Sequence, residues 1–246
     1  MTTSLTTPDR PPAPAAPLPE SPDAAALRQA ARALYRQRAP QYDWELAPFE
    51  PLRQEAIASL ALQPGQTVLD LGCGTGLSLD ALQAAVGPQG QVVGVEQCPD
   101  MLGRARQRCQ DRAWSQVQLQ TCPVEAAELP LADAALFHFT HDILLSPTAL
   151  AQVFRHLRPG ARVVATGLQW APWWAWPLNL WVWSAAWYSV GSMAGLDQPW
   201  RLLDRCLPGL QVEPKWQGSV FMACGEVPPR RARTQGLRPR PRGHTG

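Results

Sequence analysis

The run Gly72-Cys73-Gly74-Thr75-Gly76 is the stretch of this chain best suited to hold a ligand with its backbone. Glycine lets the chain turn sharply and leaves no Cβ between the backbone amides and a bound molecule. An apolar stretch, Thr67 to Leu71, leads into the run and a helix-forming stretch, Leu77 to Val86, leaves it, so the run joins a strand to a helix whose first N–H groups are free. Glu96 ends a second apolar strand, Gln91 to Glu96, and lies 20 residues past Gly76, where a carboxylate can accept both hydroxyls of a ribose. The spacing is GxGxG rather than GxGxxG. It offers fewer amides to a pyrophosphate and suits a nucleoside whose tail is a zwitterionic amino acid carrying a sulfonium.

A second group able to do chemistry stands at the end of a later strand. Alternation along Leu136-Phe137-His138-Phe139-Thr140-His141 puts His138 and Thr140 on one face and brings His141 and Asp142 out at the carboxyl edge, where ligands bind in such sheets. His141 is the candidate general base, with Asp142 beside it. The same pair also reads as a loop histidine and an aspartate capping the helix that follows, and His138 reads as packed or hydrogen-bonded core. No metal site is expected, because the six cysteines form no CxxC pair and show no regular spacing. They read as reduced thiols of a cytosolic protein.

The third feature is the segment Val163 to Leu196, which contains no charged residue and no histidine but holds seven tryptophans, Trp170, Trp173, Trp174, Trp176, Trp181, Trp183 and Trp187. A helix beginning at Pro177 has no polar face. Leu178 to Ser192 makes a helix of only about 22 Å, too short to span a bilayer. Tryptophan suits membrane interfaces and apolar pockets, so the segment is read as a lid over an apolar acceptor, with Trp173, Trp181 and Trp187 against that acceptor, or as a shallow membrane anchor. A plain core element is the competing reading.

These groups need a scaffold. Strands at 67–71, 91–96, 117–120, 134–139 and 161–166 alternate with helices at 77–86, 101–109 and 147–157, the pattern of a doubly wound parallel sheet. Helices are also expected at Ala24 to Arg38 and Pro51 to Leu62. Two further strands, Leu210 to Trp216 and Ser219 to Gly225, separated by Gln217-Gly218, make an antiparallel hairpin. The expected fold is α/β and Rossmann-like, with seven strands, mostly parallel and with an antiparallel C-terminal hairpin.

Val68-Leu69-Asp70-Leu71-Gly72-Cys73-Gly74-Thr75-Gly76 resembles the first motif of the class I S-adenosylmethionine-dependent methyltransferases, particularly their ubiquinone/menaquinone-methylase-like small-molecule branch. Glu96-Gln97-Cys98-Pro99-Asp100-Met101-Leu102 is similar to that family's second-strand segment and Glu125-Ala126-Ala127-Glu128-Leu129-Pro130 to its next motif. Leu157-Arg158-Pro159-Gly160-Ala161-Arg162 is similar to the turn before its fifth strand, with Ala161 where a second glycine is usual. Ala39-Pro40-Gln41-Tyr42-Asp43 resembles the segment that closes over the cofactor. The resemblance implies S-adenosyl-L-methionine as cofactor, held by Asp70, Gly72, Cys73, Gly74, Gly76, Glu96, Gln97, Met101, Glu125 and Tyr42. It sets Glu96 on the ribose, Gln97 and Met101 beside the adenine, Glu125 on the adenine amino group and Asp70 near the cofactor's amino group. Asp70 also reads as a cap for the loop backbone, Cys73 as a small filler and Met101 as core.

Residues 1–22 read as a disordered Pro-rich leader, 23–226 as one catalytic domain and 227–246 as a disordered Arg-rich tail. The six tail arginines account for the basic formal charge; the other 16 basic residues face 20 acidic ones, which leaves the body near −4 and argues against a nucleic-acid partner. The expected activity is methyl transfer to an apolar or lipid-like small molecule, a quinone precursor or a phospholipid amine headgroup, by a cytoplasmic protein in peripheral contact with a membrane. A methyltransferase of a soluble secondary metabolite and a non-catalytic membrane-surface binder are the alternatives.

Overall fold

The computed structural model describes residues 46–190 and 195–229. The leader, the expected helix at 24–38, Tyr42 and the arginine tail from Arg230 on lie outside the described residues.

Seven strands form one sheet in the order β3-β2-β1-β4-β5-β7-β6. β1 (Thr67–Leu71), β2 (Gln91–Glu96), β3 (Val117–Thr121), β4 (Ala132–His138) and β5 (Leu157–Leu168) run parallel, while β7 (Val220–Glu226) is antiparallel to both β5 and β6 (Gln211–Lys215). Val, Leu and Ala dominate the central strands because both faces of such a sheet are covered. One face is packed by α1 (Glu50–Ser59), α2 (Leu79–Val86) and α3 (Pro99–Asp111), through Ala56, Ile57, Leu82 and Leu102. The other is packed by the one-turn α4 (His141–Leu144), α5 (Pro147–Arg155) and α7 (Arg201–Cys206), through Leu144, Leu150, Val153 and Leu203. Strand order reverses at β1, between β2 and β4, so a cleft opens at the carboxyl ends of these three strands.

Two expectations change in detail. β5 begins at Leu157 rather than Ala161, because the Arg158-Pro159-Gly160 turn is taken into the ladder as a bulge: Ala132 pairs with Leu157 and Ala134 with Arg162. The hairpin link is longer than Gln217-Gly218, since Lys215 pairs with Val220 across a 3-10 turn in which Trp216 (φ 47), Gln217 (φ 55) and Gly218 (φ 88) are all left-handed.

The tryptophan segment forms a short 3-10 turn, Trp173–Ala175, and α6 (Trp176–Val190). Asn179 fastens it: its Oδ1 accepts from the Ala171 N–H at 2.8 Å and its Nδ2 donates to the Ala171 carbonyl at 3.0 Å. Val182 is fully buried against Leu52, Leu168 and Val220. Trp176, Leu180 and Trp183 follow at helical spacing on an exposed face, 70%, 64% and 49% accessible, and Trp173 before them is 87% accessible. A plain core element is therefore not what these tryptophans build.

Candidate functional site

The cleft at the switch point measures about 870 Å³ with its open mouth included. Gly72, Gly74, Glu96, Gln97, Met101, Glu125 and Asp142 all line it. Two turns at its floor require glycine: Gly72 (φ +76), where a Cβ would sit 2.3 Å from Thr140 Cγ2, and Gly76 (φ +82), where it would sit 2.7 Å from Leu79 Cδ1 and 3.0 Å from Ala105 Cβ. Gly76 thus serves the packing of α2 and α3 under the loop rather than the cleft surface.

Glu96 ties the site together. Its Oε1 accepts from the Cys98 N–H at 2.7 Å and its Oε2 from the Gly74 N–H at 3.1 Å, so one carboxylate fixes both the glycine loop and the end of β2. Burial pushes its pKa up, and those amides oppose the shift. Across the mouth Gln97 Nε2 donates to Asp142 Oδ2 at 3.3 Å. Glu125, on a 3-10 turn at Val124–Ala126, accepts from the Ser146 hydroxyl at 2.7 Å. Met101 is buried and also lines the cleft.

Beyond Gly72 and Gly74 the cleft continues into a small recess lined by Arg53, Asp70, Cys73, Ser78 and His138. Asp70 is buried, its Oδ2 has no hydrogen-bond partner, and burial raises its pKa to about 7 despite the nearby Arg53 cation. Arg53, on α1, is only 2% exposed and pairs with Glu50. Sequence reasoning missed it, although its place on the apolar face of α1 beside Leu52, Ala56 and Ile57 was a signal. A carboxyl and a guanidinium in one recess match the two ends of an α-amino acid, the tail of the expected cofactor. Cys73 is a buried filler whose Sγ lies against Gly94; burial raises its pKa well above the usual thiol range.

Because the folded carboxyl of Asp70 holds its proton to about pH 7 while an unfolded aspartate releases it near 3.8, its contribution to stability is present below about pH 4 and lost as pH rises through about 7. Asp70→Asn is therefore expected to raise the melting temperature of the cofactor-free protein at about pH 8 and to flatten the decline between about pH 4 and about pH 7. Identical melting profiles for the two proteins would show that the carboxylate is not strained in the fold.

The histidines exchange places relative to expectation. His141 is buried behind the cleft, its Nε2 at 2.9 Å from the Leu168 carbonyl and its ring against Gly167 and Phe221. Burial lowers its pKa despite that carbonyl. It is not among the residues that line the cleft. His138 lines both cleft and recess, with Nδ1 at 2.7 Å from Thr166 Oγ1. Trp173 and Trp181 do not line the cleft, and the side chain of Trp187 lies outside the described residues. Trp181 connects to the cleft through aromatic rings: it stacks on Phe49 at 6.1 Å, and Phe49 packs edge-on against the cleft-lining Phe139 at 4.8 Å.

Residues 68–160 match the family described as "Methyltransferase domain". The chain is 32% identical over 117 residues to the demethylmenaquinone methyltransferase of Oceanobacillus iheyensis, covering 46% of this chain and 48% of that protein. It is 36% identical over 108 residues to the trans-aconitate 2-methyltransferase of an Azoarcus strain, covering 44% and 41%. The chain thus spans less than half the length of either relative. Its fold is similar to a SAM-dependent methyltransferase of Aquifex aeolicus, with a TM-score of 0.52 at 19% identity, over 71% of this chain and 89% of that one.

Proposed function

We propose that residues 68–160, which match a methyltransferase-domain family, form a class I S-adenosylmethionine-dependent methyltransferase domain, and that the protein transfers a methyl group from S-adenosylmethionine to an apolar, lipid-like small molecule. The observation that carries the reading is the cleft at the switch point of β1, with Glu96 at its edge and the Arg53–Asp70 recess at its end. The residues fit the cofactor: Glu96 would accept from the ribose hydroxyls, Met101 and Glu125 would flank the adenine, and Asp70 and Arg53 would take its ammonium and carboxylate. When bound, the cofactor supplies an activated methyl group on a sulfonium. The chain's part is then to hold acceptor and methyl group in line, which can contribute roughly 7–11 kcal/mol without a dedicated base. The carboxylates of Glu96, Glu125 and Asp142 around the cleft also favour a cationic ligand.

The apolar character of the acceptor rests on α6. Four exposed indoles, Trp173, Trp174, Trp176 and Trp183, with Leu180 among them, make an uncharged face suited to the headgroup boundary of a bilayer. Aromatic packing through Trp181, Phe49 and Phe139 leads from that segment to the cleft. No described helix is long and apolar enough to cross a membrane, so the contact would be peripheral. A soluble acceptor is the second reading, favoured by the absence of Trp173 and Trp181 from the cleft lining.

Incubating the purified protein with methyl-labelled cofactor and either lipid or soluble extract tests the two readings. Label appearing in the organic phase supports the first, label confined to water-soluble products the second, and no cofactor binding by calorimetry sinks both. For the exposed face, Trp173→Ala and Trp176→Ala are each expected to melt within about two degrees of the parent, since surface changes cost within about 0.5 kcal/mol. Both should weaken sedimentation with phosphatidylcholine vesicles. A fall in melting temperature as large as that for a buried tryptophan, about 3–5 kcal/mol, would place these rings in a covered interface instead.

A further inference from the structure

His138 ends β4 where the cleft meets the recess, and it is held there by one partner. Its Nδ1 lies 2.7 Å from the hydroxyl of Thr166, which sits fully buried on the neighbouring strand, in register with it. No other hydrogen bond of that hydroxyl is seen among the described residues, so its proton is best satisfied by donation to Nδ1. The remaining proton of a neutral imidazole then resides on Nε2. Nε2 is buried and has no partner, on a residue that lines both cleft and recess. Two residues on, Thr140 repeats the situation: it also lines the cleft, and its Oγ1 is buried and unpartnered. Orphaned buried polar atoms are rare in folded proteins because each costs about 1–3 kcal/mol. Two of them on the lining of one cleft mark the place where a ligand oxygen completes the structure.

We infer that His138, oriented by Thr166, donates its Nε2–H to an oxygen of the methyl acceptor, with Thr140 as a second polar contact, and so selects acceptors that carry a hydroxyl or carbonyl on or beside the methylated atom. This rests on the proposed methyl transfer and names the acceptor chemistry of the same cleft. Phe139, between the pair in sequence, and Ile143 also line the cleft and give the hydrophobic body of an acceptor apolar surface to rest on. Of the charged groups nearby, Asp70 and Arg53 line the recess, Glu96 and Glu125 are assigned above to the nucleoside, and Asp142 Oδ2 accepts from Gln97 Nε2 at 3.3 Å. Burial and the neighbouring Arg53 cation push the His138 pKa down to about 3, which keeps the ring neutral throughout the physiological range. A neutral donor binds an oxygen lone pair without requiring a negative charge on the acceptor. A site built around such a donor also discriminates strongly, because an analogue lacking the oxygen leaves the N–H buried and unpaired. His138 is a specificity-determining residue in this account and Thr166 a positioning residue.

The test uses the full chain saturated with S-adenosylhomocysteine, the demethylated cofactor, and two probes of similar size, 1-tetralone and 1-methylnaphthalene, followed by equilibrium dialysis. Wild-type protein should bind the ketone at least about tenfold more tightly than the hydrocarbon. His138→Phe, saturated with S-adenosylhomocysteine at a concentration set by its own measured affinity, should erase that preference, and His138→Gln, which retains an N–H donor, should restore part of it. Thr166→Val should reduce the preference without abolishing hydrocarbon binding. In the wild-type protein, nitrogen-15 spectra should show His138 protonated at Nε2, with that signal moving as the ketone is added. Equal affinity for the two probes, no binding of either at millimolar concentration, or a spectrum in which Nδ1 carries the proton would each overturn the inference. So would a His138→Phe protein that loses cofactor affinity and keeps the ketone preference, since it would assign the ring to the cofactor. Should wild-type protein fail to bind S-adenosylhomocysteine at all, the methyltransferase reading itself falls, an outcome distinct from cofactor binding without oxygen preference.

Discussion

Gly72→Ala is expected to lower cofactor affinity by about a hundredfold and to cost the fold several degrees of melting temperature. Two costs combine. An L-residue in the left-handed region at φ +76 is disfavoured by about 1–2 kcal/mol. The new methyl would also lie 2.3 Å from Thr140 Cγ2 and 3.2 Å from Ile143 Cδ1, and forcing extra volume into a packed site costs about 1–3 kcal/mol. The loop cannot simply slide away, because the amides of Gly72 and Cys73 both donate to the Val95 carbonyl, at 2.8 and 3.1 Å. A second substitution separates the terms: Thr140→Ser removes the clashing methyl and keeps the hydroxyl. The double variant should recover the steric part of the loss and retain the backbone part. Calorimetry and thermal melts read both, and wild-type affinity in Gly72→Ala alone would mean that the loop does not form the site.

The second large effect is expected at Glu96. Glu96→Ala should weaken cofactor binding by at least about tenfold, because charge-assisted hydrogen bonds are worth about 1.5–3 kcal/mol each. The geometry makes the conservative variant nearly as harmful. Each carboxylate oxygen already accepts a backbone N–H, from Cys98 and from Gly74. Glu96→Gln keeps one acceptor but turns an NH2 group toward the other amide, donor against donor. It should therefore loosen one end of the loop and fall close to the alanine variant. If Glu96→Gln bound the cofactor as well as wild type, the carboxylate would not be the clasp described here.

The parts of the fold that were legible in the sequence are those where local and global preference agree. β1 and β2 are bounded where expected, at Thr67–Leu71 and Gln91–Glu96, because each is a short apolar run closed by a turn residue or by the carboxylate of Glu96. Arg53 was missed because a lone arginine on a helix reads as solvated; its place on the apolar face of α1, which packs on β4 and β5, was the one signal that it lies inside. The histidines misled for a geometric reason. His141 and Asp142 are the first residues of one-turn α4, and consecutive helical residues point about 100° apart, so one of them turns outward to the cleft while the other is buried. The left-handed Phe139 (φ 59) before them ends the two-residue alternation on which the reading depended. α6 was equally opaque, because a helix apolar on every side carries no mark of which side will be covered. That was decided by Asn179 and Val182, which hold one side to the domain and leave the indoles out.

The burial of Cys73 within the ligand loop gives the protein a built-in clock. Cys73 is 8% exposed, its Sγ lies against Gly94 and burial raises its pKa, so its alkylation is expected to require an opening of the loop. The rate at which this one cysteine is modified therefore counts loop openings per unit time. Anything that seats on the loop amides will slow that count in proportion to the fraction of molecules it occupies, which allows occupancy to be followed by mass spectrometry without any turnover taking place.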